Sequence, residues 1–239
     1  MLQTLTRQKK YHIWTLGCQM NEADSERIAG VFESVGMSRA ATDTTADYIV
    51  VNTCSVRQKA EDRVYGKMVD YEEIKRERPE TKIIITGCMI GKVSRNYKKD
   101  NASAILKRLK HNLPLADYFM DISNLDLFKQ QLEQDNLSEQ LLMQLRSETN
   151  YLEVQPVYNK KYKAYVPIMN GCNNFCKFCI VPYSRGREKS RPQASILDEI
   201  SRLVAQGARE ITLVGQNVNS YKNKLVPADA RYQVAFAHL

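Results

Sequence analysis

A chain of 239 residues, 43% hydrophobic and 26% charged, holds enough apolar side chains for one large core or two ordinary ones, which excludes disorder throughout. Lys and Arg outnumber Asp and Glu by 35 to 27, and the net charge of +8 suits either a polyanionic partner or a solvated basic surface. The opening MLQTLTRQKKYH is cationic with no apolar run behind it, and no stretch approaches a membrane span, so a soluble cytoplasmic protein with no membrane attachment is expected. In that compartment six cysteines point to metal or redox chemistry before disulfides.

The chain opens on an alternation of two patterns. Short, nearly unbroken runs rich in β-branched and aromatic residues, YHIWTL (11–16), YIVVN (48–52) and KIIIT (82–86), read as strands buried on both faces. Between them Ile28, Val31, Phe32 and Val35 recur at helical spacing and stop at Gly36, and Val64, Met68, Tyr71 and Ile74 do so before Pro79. This βαβαβ order predicts an α/β fold with an N-terminal doubly wound parallel sheet.

Cys18, Cys54 and Cys88 each fall two residues past one of these runs, at the carboxyl end. In a parallel sheet those ends share one edge, where ligand crevices form, so cysteines far apart in sequence meet in space. Three small buried hydrophobes are the alternative, the ordinary fate of free cysteines.

From residue 95 the pattern weakens. SRNYKKDNASAILKRLKHN reads as a basic helix or loop, DYFMDI as a strand and LDLFKQQLEQ as a short amphipathic helix, while 134–150 is open to helix or linker. A boundary between 140 and 162 divides the chain into residues 1–150 and 151–239. The second part restarts as strand, helix, strand: AYVPIM (164–169), a helix beginning at Pro192 or Ser195 and ending at Gly207, and EITLVG (210–215). The loop between, 171–191, is long for such a connection, and long ordered loops tend to carry function.

That loop contains GCNNFCKFC, with Cys172, Cys176 and Cys179 and no fourth cysteine or histidine nearby. Structural zinc usually takes four ligands. Three thiolates on a cubane iron–sulfur cluster leave one iron open to a substrate or cofactor. Gly171, Asn173 and Asn174 suit close wrapping because they tolerate left-handed backbone. A zinc knuckle with a distant ligand and a surface dithiol stay open on this reading.

C-x3-C-x2-C after a first strand resembles the signature of radical S-adenosylmethionine enzymes. GCNNFCKFCIVPYSRGREKSRP, with TLGCQMNEADSERI, NTCSVRQKAEDRVYGKM, TGCM and GQNVNSY, is similar to the tRNA methylthiotransferases of the MiaB type over about residues 11–221. Ser55 and Arg57 after NTC favour the tRNA-modifying branch over the one acting on a ribosomal protein.

The resemblance implies two [4Fe-4S] clusters. Cys172, Cys176 and Cys179 would hold the one that binds and cleaves S-adenosyl-L-methionine to a deoxyadenosyl radical, and Cys18, Cys54 and Cys88 an auxiliary one that takes part in sulfur delivery. The reaction implied is methylthiolation at C2 of N6-isopentenyladenosine in tRNA, with an electron-donor protein as partner and a monomeric chain. Phe178 would lie near the cofactor's adenine, and Gly215, Gln216 and Asn217 stand where such enzymes receive its amino end; a polar turn after a strand is the alternative. SRGREKSRP places Arg185, Arg187, Lys189 and Arg191 beside the cluster loop, a cationic strip for RNA phosphates or else a set of ion pairs. NKKYK (159–163) puts Tyr162 among lysines as a further contact to RNA, or as part of a charged linker.

A radical domain of this type is a partial barrel of six βα units, yet two strands precede residue 221, and KNKLVPADARYQVAFAHL departs from the family's text. A truncated chain with an uncovered sheet edge is therefore expected, the alternative to the enzyme being a non-catalytic iron–sulfur and RNA-binding protein.

Overall fold

The three apolar runs form the centre of a five-stranded, wholly parallel sheet. The structure, a computed structural model, describes residues 7–56, 58–96, 102–134, 137, 151–160 and 162–222. Strands β1 (Lys10–Thr15), β3 (Tyr48–Thr53) and β4 (Lys82–Gly87) are flanked by two-residue edges β2 (Ser38–Arg39) and β5 (Tyr118–Phe119), in the order β2-β1-β3-β4-β5. Ile13 pairs with Val50 and Val50 with Ile84, so the register carries straight across the centre.

Successive side chains on a strand face opposite ways, and both faces here are covered. Tyr48, Val50 and Ile84 enter one core with Ile28 and Phe32 of α1 (Gln19–Ser34) and Phe128 of α5 (Leu125–Glu133). Ile49, Val51, Ile83 and Ile85 enter the other with Val64, Met68, Tyr71 and Ile74 of α2 (Gln58–Glu77). This is why β3 is buried at every residue and its sequence does not alternate. Helices α3 (Cys88–Asn96) and α4 (Ala102–Asn112) lead to β5.

The predicted helix stop at Gly36 holds for a definite reason. Gly36 takes φ of +81°, Met37 N–H donates to Phe32 O at 3.0 Å and Gly36 N–H to Glu33 O at 3.0 Å, the two bonds of a Schellman ending. Most of 134–150 lies outside the described residues, as do 97–101 and 223–239.

In the second part β6 (Lys163–Pro167) pairs in parallel with β9 (Glu210–Val214), and a two-residue antiparallel ladder joins β7 (Met169–Asn170) to β8 (Lys189–Ser190). A short helix, α6 (Val181–Ser184), interrupts the long loop, and α7 (Gln193–Ala205) covers the pair through Ile196 and Leu203. The two sheets are fastened together. Tyr151, Leu152 and Val214 sit in the same core as Phe32. Arg27 on α1, wholly buried, donates to both Glu199 oxygens on α7 at 3.1 and 3.0 Å and to Leu152 O at 3.1 Å. Burial works against a charge on Glu199, but Arg27 and Arg191 outweigh it and hold the carboxyl below its usual range.

Candidate functional site

The strand ends place Cys18, Cys54 and Cys88 on one edge, with offsets that differ from the even spacing expected. The strands end at Thr15, Thr53 and Gly87, so Cys54 and Cys88 follow at once and Cys18 comes later. Cys18 is exposed and the other two are buried. Cys18 and Cys54 line one cavity of about 380 Å³ together with Val56, Lys59 and Arg63. Burial pushes the Cys88 thiol up, and Arg185 opposes that shift.

A polar scaffold holds this edge. Asn21 Oδ1 accepts from Cys18 N–H at 3.3 Å and from its sulfur at 3.4 Å, while Asn21 Nδ2 donates to Asn52 Oδ1 at 3.1 Å. Asn52 Nδ2 returns a bond to Asn21 O at 2.8 Å. Thr53 Oγ1 donates to Thr86 O at 2.8 Å, and Thr86 Oγ1 to Met120 O at 2.7 Å, a hydroxyl ladder across three strand ends. Val56 N–H donates to the Cys54 sulfur at 3.4 Å. Ser55 Oγ is buried with no hydrogen-bond partner among the described residues, and Arg57 lies outside them.

The second triad sits on the loop after β7. Cys172 is buried, Cys179 half-buried and Cys176 exposed, and none of the six cysteines is in a disulfide. Gly171, at φ of +77°, is required by close approach: a side-chain carbon there would fall 2.3 Å from Arg187 O. Its N–H donates to Gln216 Oε1 at 2.9 Å, Cys172 N–H to Gly186 O at 3.0 Å and Cys179 N–H to Cys176 O at 2.9 Å. The left-handed positions differ from those expected: among non-glycine residues described, Phe175 (φ 46°) takes one, and Asn173 and Asn174 do not. Asn173 instead accepts from Glu188 N–H through its side chain at 3.2 Å.

Among the described residues no three His, Cys, Asp or Glu side chains close round a single metal ion. Thiolates on separate corners of a cubane stand farther apart than ligands of one ion, and soft sulfur donors with an N–H aimed at Cys54 suit an iron–sulfur cluster. The residues present fit that group.

Two of the four residues assigned to the cationic strip face inward. Arg185 and Arg191 are 4% and 3% exposed, Arg185 paired with Asp24 at 2.6 Å and Arg191 with Glu199 at 2.8 Å. A guanidinium at that depth is held by its carboxylate and is not free to grip phosphate, so for these two the ion-pair alternative holds, while Arg187 and Lys189 are exposed. Arg187 lies 4.3 Å from the Phe175 ring centroid. Phe178 is 92% exposed at the loop's rim. Gly215 is needed for packing, since a side-chain carbon there would meet Met169 Cγ at 2.5 Å, and Asn217 precedes the turn 218–220. Tyr162 is exposed and Lys163 pairs with Glu210.

Sequence reasoning missed Asn21, Asp24, Asn52, Thr53 and Thr86. For Asn52, Thr53 and Thr86 the signal was present as polar residues closing otherwise apolar strands, in YIVVNTC and KIIITGC.

Two family models match the chain: the uncharacterized protein family UPF0004 over residues 10–106 and the radical SAM superfamily over 166–231. Among curated relatives, a tRNA-2-methylthio-N(6)-dimethylallyladenosine synthase of Carboxydothermus hydrogenoformans is 44% identical over 220 residues, covering 91% of this chain and 48% of that protein. The protein of the same description from Herpetosiphon aurantiacus is 41% identical over 216 residues, 90% of this chain and 45% of its own length. The chain thus spans about half the length of the curated relatives it matches. A solved structure of the radical S-adenosylmethionine methyltransferase TsrM from Kitasatospora setae aligns with a TM-score of 0.55 at 13% identity, over 90% of this chain and 48% of that one, a likeness of fold.

Proposed function

We propose, for a chain that belongs over the residues matched to the MiaB-type methylthiotransferases of the radical S-adenosylmethionine superfamily, a part in methylthiolation at C2 of N6-isopentenyladenosine in tRNA. In this reading residues 1–150 hold an auxiliary [4Fe-4S] cluster on Cys18, Cys54 and Cys88, and residues 151–239 hold a second on Cys172, Cys176 and Cys179 that binds S-adenosyl-L-methionine. When bound, the second cluster supplies the electron that cleaves the sulfonium, and the auxiliary one the sulfur chemistry.

The chain's own residues hold and orient. The Asn21–Asn52 pair and the Thr53–Thr86 ladder fix the strand ends, so three thiolates are presented from rigid backbone rather than from mobile loops. Gln216 clamps the base of the second loop at Gly171, which ties the end of β9 to the cysteines. Phe178 and the segment 215–217 receive the cofactor, and exposed Arg187 and Lys189 meet RNA phosphates. An electron-donor protein is the remaining partner, and the chain acts as a cytoplasmic monomer. Among the described residues no helix is long and apolar enough to cross a membrane.

One observation carries this reading. α3, which begins at Cys88, packs directly on α6 in the loop of the second triad, where a side-chain carbon at Gly91 would fall 2.1 Å from Ser184 O. The helix that begins at Cys88 and the loop that carries the second triad therefore meet at one interface. The test is chemical: the chain loaded anaerobically with iron and sulfide, then given S-adenosyl-L-methionine and dithionite, is expected to release 5′-deoxyadenosine, and Cys176→Ala to abolish this. With isopentenylated tRNA, digested nucleosides should gain a methylthio group by mass. Iron uptake without deoxyadenosine would instead assign a non-catalytic iron–sulfur and RNA-binding protein.

A further inference from the structure

The loop of the second triad shows aromatic side chains to solvent where the rest of the chain hides them. Among the described residues Phe32, Phe119 and Phe128 are fully buried, while Phe175 and Phe178 stand 38% and 92% exposed on this loop. Tyr183, on α6, is 53% exposed. The Phe175 and Tyr183 rings meet edge to face, with centroids 5.8 Å apart and planes at 90°. The Arg187 guanidinium lies 4.3 Å from the Phe175 centroid. A phenol, a phenyl ring and a cation thus form one exposed row.

This row is built on fixed backbone. Pro182 stands in the first turn of α6, Tyr183 N–H donates to Ile180 O at 3.0 Å, and the next residue, Ser184, rests against Gly91 of α3. Phe175 takes φ of 46°, a left-handed conformation that disfavours a side chain and persists where the surroundings enforce it. Arg187 O fills the space that a side-chain carbon at Gly171 would need, which sets the place of Arg187 beside Phe175. Arg185 and Arg191 are spent on buried carboxylates, whereas Arg187 is exposed and forms no ion pair among the described residues.

A ring already held in place loses little freedom when a flat partner stacks on it, and apolar surface leaves water as it does so. The cation beside the rings selects a partner that is anionic as well as flat. Unpaired RNA is both, since every base has a face that stacks on an aromatic side chain and every linkage carries a phosphate. Bases inside a duplex are stacked on one another and cannot reach the ring. We propose that Tyr183, braced by Phe175, is a stacking surface for an unpaired RNA base beside the second triad, and that Arg187 holds a phosphate of the same segment. The inference deepens the RNA reading above, on which it rests for the class of partner, by adding a contact to a base.

The experiment is fluorescence anisotropy with the full chain, kept reduced, and two labelled RNAs: a stem-loop with unpaired adenines in its loop, and a blunt duplex of the same length. Tyr183→Leu is expected to weaken stem-loop binding roughly 5- to 150-fold, the range for one lost stacked base, with duplex binding and salt dependence unchanged. Tyr183→Trp should bind as the parent does. Arg187→Gln should instead flatten the slope of log affinity against log salt by about 0.7, the share of one phosphate contact. A folded Tyr183→Leu that binds the stem-loop like the parent, or that loses the duplex equally, overturns the stacking role and leaves the phosphate contacts standing. If Tyr183→Leu fails to fold, Phe175→Leu, which removes the brace, carries the same comparison of stem-loop against duplex. A parent chain that binds neither RNA at low salt overturns the RNA reading and this inference with it, while iron content judges the cluster reading separately.

Discussion

Gly91 is where the helix that begins at Cys88 packs against α6 in the loop of the second triad, and replacing it with alanine tests that packing. In an exposed helix the change is favourable by roughly 1 kcal/mol, because alanine restricts the unfolded chain and glycine does not. At Gly91 the new carbon would lie 2.1 Å from Ser184 O and 3.2 Å from Ser184 C, so the backbone of α6 has to retreat by more than an ångström to reach ordinary contact. Overpacking of this kind costs about 1–3 kcal/mol, which leaves a net loss of up to roughly 2 kcal/mol after the helical gain. Gly66 on α2 is the internal control, since nothing lies within 4 Å of a side-chain carbon there. Urea denaturation of the apo chain under reducing conditions should show Gly66→Ala stabilised and Gly91→Ala destabilised. If Gly91→Ala is as stable as Gly66→Ala, α3 and α6 are not in contact and the two parts of the chain do not meet there.

Glu26 provides a pH dependence of defined sign. Burial raises its carboxyl from 4.5 to about 7, and its Oε2 is buried with no hydrogen-bond partner among the described residues. Its stabilising contribution is complete below the unfolded value of 4.5 and is lost as pH rises to about 7, a difference of about 3 kcal/mol that Glu26→Gln should remove from the urea stability measured across that window. Arg27→Met strands Glu199 in the interior with one cation fewer, and the loss of a buried partner of this kind is expected to cost about 3–5 kcal/mol; under about 1 kcal/mol would show that the pair is not buried in solution.

The central strands were legible because burial on both faces writes itself as an unbroken β-branched run, as in YIVVN. Of the edge strands, β5 was read in DYFMDI and β2 was missed. Ser38–Arg39 forms two residues of pairing with no apolar signature, and α6 is a four-residue turn of helix inside what reads as loop. α3 was missed because it begins directly at Cys88 with glycine in its second turn, chosen for approach to Ser184 rather than for helix formation. The cysteines could be placed on one edge from strand order alone. The depth of Arg185 and Arg191 could not, because it depends on Asp24 and Glu199: Asp24 is 161 residues from Arg185 in the chain, and Glu199 meets its other cation, Arg27, across 172. A basic run near an active loop looks the same in sequence whether its arginines face solvent or a buried carboxylate.

Counting iron tests the central claim most directly. Loaded without oxygen, the chain should bind about eight iron and as many sulfide, and about four of each when either triad, Cys18/Cys54/Cys88 or Cys172/Cys176/Cys179, is changed to alanine. One zinc per chain, or iron lost altogether on removing either triad, would contradict two independent three-thiolate cluster sites.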